Sequence, residues 1–113
     1  MKDQLILVRH ILGAIDRVEQ YTLGMSKEEF LSNFLVQDGV LRNSEIIGEA
    51  CKNINSEMKE QYSQIPWRDI TAMRNKLIHE YFGVDIETLW NVIQFNLAEL
   101  KKHVLTIINS EEA

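Results

Sequence analysis

Apolar residues recur at helical spacing along almost the whole chain. Leu5, Val8, Ile11, Leu12, Ile15 and Val18 fall on one arc, opposite Asp3, His10 and Arg17, which predicts a first helix ending near Tyr21 ahead of Gly24. Ser26 followed three residues later by Glu29 is a capping-box pattern, so a second, short helix is expected from Ser26 carrying Phe30, Leu31 and Phe34. From about Asp38 to Ile54, the residues Val40, Ile47, Ala50, Cys51 and Ile54 share a stripe against Arg42, Glu45, Glu49 and Lys52; this third helix could be continuous with the second. Ser56 to Tyr62 is polar and helix-favouring, and Ile65-Pro66-Trp67 then stops and restarts the chain, with proline suited to a first helical turn. A fifth helix is expected from about Pro66 to Tyr81, ended by Gly83. Asp85 is the expected N-cap of a last helix, in which Ile86, Leu89, Trp90, Ile93, Leu97, Leu100, Val104, Ile107 and Ile108 keep a heptad-like stripe. At ~1.5 Å per residue that helix reaches roughly 36 Å. With no strand pattern, repeat or linker, the expected fold is all-α, an antiparallel bundle of about five to six helices in one domain over residues 1–113.

Composition narrows the function classes. The 45% hydrophobic and 26% charged content is that of a globular domain, and no run approaches the ~20 apolar residues of a membrane span. Met1-Lys2-Asp3-Gln4 leads straight into an amphipathic pattern without the apolar stretch of a signal peptide, so a cytoplasmic location is expected. The single cysteine, Cys51, sits in an apolar stripe and reads as a core residue. Twelve Lys and Arg against 17 Asp and Glu give a net charge of -5, which opposes general attraction to a phosphate backbone. Any handling of RNA must therefore be local.

The chemistry concentrates in residues 67–81. On a helical wheel Arg74 falls inside the apolar arc of Ile70, Met73, Leu77, Ile78 and Tyr81. A guanidinium keeps its charge when desolvated, so Arg74 needs a carboxylate such as Glu45 or Glu49, a wet subunit boundary, or a phosphate ligand. Asn75 and His79, four apart, are neighbours on the flank next to Arg68. His10, His79 and His103 are isolated, and no His-x-x-x-His or paired-cysteine spacing occurs, so no metal is expected. Phosphate loops and nucleophile elbows are absent from the sequence too, and no cofactor is expected. Trp67 and Trp90 read as core or interface anchors, with base stacking as the alternative.

At this point the sequence resembles a known family. Arg74-Asn75-Lys76-Leu77-Ile78-His79 matches the Arg-x4-His signature of the HEPN ribonuclease superfamily, and the continuation to Tyr81 gives the Arg-x4-His-x-Tyr form of its HepT-type toxins. Residues 40–50, Ile65-Pro66-Trp67-Arg68 and the stretch from His79 to Asp85 also look like HepT segments in the expected order. The resemblance implies a homodimer that cleaves RNA without a metal, two copies of the motif facing each other across a cleft. Arg74 would neutralise charge growing on the phosphoryl oxygens, His79 would move a proton, and Asn75 would orient the phosphate or the histidine. Arg68, Glu45 and Glu49 are the expected supporting or phosphate-positioning residues. The resemblance further implies a toxin-antitoxin system in which a cognate MntA-type minimal nucleotidyltransferase silences the toxin by attaching AMP to Tyr81. DNA and membranes are not expected partners. The competing class is a noncatalytic HEPN subunit, in which Arg74 and His79 hold a nucleotide without cutting RNA.

Overall fold

The computed structural model describes residues 2–72 and 86–112, and among these every regular element is helical. The elements are α1 (Lys2–Thr22), α2 (Lys27–Leu31), α3 (Phe34–Asn53), α4 (Ser56–Gln61), α5 (helical from 67 to 72, the last described residue on that side), α6 (Ile86–Asn91) and α7 (Leu97–Glu112). A π-helical turn, Val92–Asn96, joins the last two into one run.

Local signals set the breaks. Gly24 takes a positive φ of 71°, a backbone state that costs glycine little, and the chain turns there out of α1. Ser26 caps α2 as the capping box predicts, its Oγ accepting from the Glu29 amide at 3.1 Å while the Glu29 carboxylate accepts from the Ser26 amide at 3.2 Å. The structure differs from the expectation just beyond. Phe34 belongs to α3, which starts there rather than near Asp38 and is separate from α2. Asn33 caps α3 by accepting from the Val36 amide at 3.0 Å. The buried Gln37 then reaches back from α3 and donates to the Phe30 and Leu31 carbonyls at 2.9 and 3.1 Å. The Phe30 carbonyl also accepts from the Asn33 amide at 3.2 Å, so backbone and the Gln37 side chain together satisfy the carbonyls at the end of α2.

The long helices run antiparallel, as cross-contacts show. Along α1 and α3, Arg17 meets Asn43 and Tyr21 packs on Gly39, while Gln4 meets Asn55 just past the end of α3. One chain climbs as the other descends. A Cβ built on Gly39 would stand 3.0 Å from the Tyr21 ring, so glycine lets the aromatic lie directly on the α3 backbone. Between α1 and α7, Arg9 pairs with Glu112, and Lys101 reaches Asp16 at 3.3 Å and Glu19 at 2.7 Å. Such exposed pairs stabilise weakly and mark register more than they supply energy. Across the other end, Lys27 of α2 lies 3.7 Å from Glu87 of α6, and the Phe30 and Trp90 rings stack with centroids 5.2 Å apart.

The core fills the seam between these helices. Val8, Ile11, Ala14, Ile15 and Val18 of α1 meet Val40, Ile47, Ala50 and Cys51 of α3 and Leu97, Leu100, Val104, Ile107 and Ile108 of α7. Burial of the Cys51 thiol pushes its pKa up to about 12, as expected for a core cysteine. The last run departs from a regular helix for a physical reason. Leu89, Ile93 and Leu97 are spaced by four and four, which in an α-helix would drift the stripe by about 40° at each step. The wider π turn absorbs that drift, keeping all three in the core, and it leaves Phe95 72% exposed on the outside.

Candidate functional site

The segment leading into the Arg74–His79 motif is firmly anchored. Pro66 opens α5, and the Ile70 amide donates to the Pro66 carbonyl at 3.1 Å. Trp67 is buried, and its indole N–H donates to the Tyr62 carbonyl at 3.1 Å. Trp67 is thus a core anchor, and Trp90 packs half-buried on Phe30, so their rings serve the bundle. Tyr62 in turn donates its hydroxyl to the Glu111 carboxylate at 2.8 Å, tying this corner to the end of α7. Burial is the main cause that raises the Tyr62 pKa above its ordinary value.

Depressions open on both sides of this anchor. One is a cavity of about 260 Å³ between α3, the start of α5 and the α6–α7 run. Ile47, Ile70, Leu97 and Leu100 give it apolar walls, Ser44, Asp69, Asn96, Glu99 and His103 supply polar groups, and the exposed Phe95 is at its edge. The carboxylates of Asp69 and Glu99 disfavour an anion there. The other is a wider, open hollow of about 780 Å³, lined by Lys52 of α3, Lys59 of α4, and Ile65, Pro66, Trp67, Arg68, Asp69, Thr71 and Ala72. Three cations on its wall suit it to phosphate.

Of the residues singled out from the sequence, Arg68 is exposed at the start of α5 and lines the basic hollow. Glu45 and Glu49 are both exposed on α3 and line neither of these two depressions. Arg74, Asn75, His79 and Tyr81 lie outside the described residues. Sequence reasoning missed Lys52 and Lys59 as site candidates, because each reads as an ordinary exposed lysine on its own helix. Their one signal was the basic Arg68 after the Pro66-Trp67 restart, which gave no clue to which helices would flank it. Among the described residues no three His, Cys, Asp or Glu side chains gather as a metal site would require. No helix among them is long and apolar enough to cross a membrane.

A chain whose described residues fold only into helices, with an Arg-x4-His motif in its sequence after a Pro-Trp-Arg restart, defines a class, and comparison with known proteins gives the family. The family model described as Ribonuclease HepT-like matches residues 11–107. A Methanocaldococcus jannaschii protein named "Gamma-glutamylcyclotransferase and putative RNase" is 41% identical over 107 residues, covering 95% of this chain and 48% of that protein. The chain thus spans about half the length of that relative. It is 38% identical over 112 residues to a "Putative RNase" of Caldanaerobacter subterraneus subsp. tengcongensis, covering 99% of this chain and 100% of that one. A "Probable ribonuclease HepT" of Thermococcus cleftensis is 44% identical over 91 residues, covering 80% and 83%. No solved structure gives a significant match. The chain belongs to the Ribonuclease HepT-like family, a family of ribonucleases.

Proposed function

We propose that this protein is a metal-independent endoribonuclease, the toxin of a toxin-antitoxin pair, cutting RNA in the cleft of a homodimer. The observation that carries the reading is the family match over residues 11–107, which spans the intact Arg74-x4-His79-x-Tyr81 motif. The residues suit the chemistry. His79 takes the proton of a ribose 2′-hydroxyl as that oxygen attacks the adjacent phosphorus, and the 5′-oxygen leaves; Arg74 balances the charge that builds on the phosphoryl oxygens, and Asn75 orients the phosphate. Positioned acid-base and cationic groups can carry these steps. The same motif, placed twice across a cleft, gives each phosphate a donor and an acceptor of protons.

Exposed apolar side chains support association. Leu23, Phe34, Leu35 and Phe95 stand 86%, 75%, 83% and 72% exposed, apolar side chains that a second copy could cover. A cognate nucleotidyltransferase that attaches AMP to Tyr81 would add phosphate charge and bulk two residues from His79 and so silence the enzyme.

The deciding experiment is RNA cleavage by wild type and His79→Ala, with light scattering and circular dichroism on both. Wild type should be a dimer that cuts RNA in excess EDTA, and His79→Ala a folded dimer that does not. Cleavage by His79→Ala at the wild-type rate would replace this reading with the noncatalytic, nucleotide-holding subunit.

A further inference from the structure

The protein is acidic, and several of its described cations are held by partners. Arg9 pairs with Glu112, Lys27 with Glu87, Lys101 with Asp16 and Glu19, and Lys102 with Glu99, while Arg17 is held by Asn43. Arg42, Lys52, Lys59 and Arg68 make no ion pair among the described residues. Three of these four come from different helices and line the same hollow, on the wall from which the chain runs on to the Arg74–His79 motif. Like charges that share one wall repel one another, so their grouping adds no stability by itself. The arrangement suits an anionic ligand with several charges in a row.

We propose that Lys52, Lys59 and Arg68 form a phosphate track that receives the backbone of single-stranded RNA flanking the cut. The inference rests on the ribonuclease reading and extends it to how an acidic protein holds its substrate. Trp67 is buried and bonded within the bundle, so the track offers charge without a stacking platform and reads backbone rather than base. Asp69, on the same wall, is the one acidic group among the described residues lining the hollow, and it weakens the track.

The test uses a short 2′-O-methylated oligoribonucleotide, which the proposed mechanism cannot cut, and measures binding by anisotropy across a salt series. Each phosphate contact on a single strand contributes roughly 0.7 to the slope of log K against log salt. The triple variant Lys52→Gln, Lys59→Gln, Arg68→Gln should bind about tenfold or more weakly, with a slope shallower by about 2. Lys52→Arg, Lys59→Arg, Arg68→Lys keeps the charges and should keep the slope. Asp69→Asn should tighten binding, the opposite sign from what loss of structure gives. Arg42→Gln, unpaired but away from the hollow, should behave as wild type.

A triple variant with the wild-type slope overturns the track, and so does an Arg42→Gln loss as large as the triple variant's. Displacement of the strand by micromolar AMP or inorganic phosphate would make the hollow a mononucleotide pocket and overturn it too. Wild type that cuts RNA while the track variants bind normally leaves the ribonuclease reading standing. Wild type that neither cuts nor binds RNA removes both.

Discussion

Arg17 of α1 donates its Nε–H to the Oδ1 of Asn43 on α3 at 2.8 Å, and the Asn43 amide donates on to the Gly39 carbonyl, also at 2.8 Å. Asn43 is 4% exposed, so this is a buried polar bridge in the α1–α3 seam with both ends of its amide satisfied. Asn43→Ala leaves the guanidinium without its acceptor and should cost about 1–2 kcal/mol by urea denaturation. Arg17→Ala should cost less, and the double variant should lose less than the sum of the two. Additive losses would mean that the bond itself contributes nothing.

The Tyr62 hydroxyl donates to Glu111, and burial raises its pKa above the unfolded value of about 10. The folded protein therefore keeps this proton at pH values where the unfolded chain has released it. The linked stabilisation is complete below about pH 10 and is lost as pH rises through the folded pKa. Tyr62→Phe should be less stable than wild type by about 1 kcal/mol at neutral pH. The gap should narrow in thermal melts taken above about pH 10. A gap that stays constant with pH would show that Tyr62 ionises alike in both states.

Cys51 is fully buried, and its pKa is pushed up to about 12. The thiolate is the reactive form, so the native protein should resist iodoacetamide near pH 8 and react fully once denatured. Intact mass after each treatment reads the outcome directly. Rapid labelling of the native protein would show that the α1–α3 seam opens locally.

Tyr81 carries the regulatory part of the reading. Co-expression with the cognate nucleotidyltransferase should raise the mass of wild type by one or more AMP units and suppress its RNase activity. Tyr81→Phe removes only the attachment oxygen, so it should fold, stay unmodified and remain toxic. Equal AMP loading on both proteins would place the modification on another residue, and no loading on either would remove this control.

The sequence by itself determined what depends on near neighbours. The stripe from Val8 to Val18, the capping box from Ser26 to Glu29, the turn at Gly24 and the restart at Pro66 all follow from interactions within about one helical turn, and each stands where the spacing put it. The Arg74-x4-His79 motif was legible for the same reason: its spacing is local, although its residues lie outside those described. What only the tertiary structure decided is non-local. Phe34 left the second helix because Gln37 and Asn33 satisfy the polar groups at a break between α2 and α3 that apolar spacing could not register. The π turn at Val92–Asn96 appeared because Leu89, Ile93 and Leu97 must all face a core built by other helices. Lys52, Lys59 and Arg68 come from three helices, and their charges became a site only when packing brought those helices to one hollow. Periodicity tells a residue which face of its own helix it occupies; which neighbours share that face is set by packing between elements far apart in the chain.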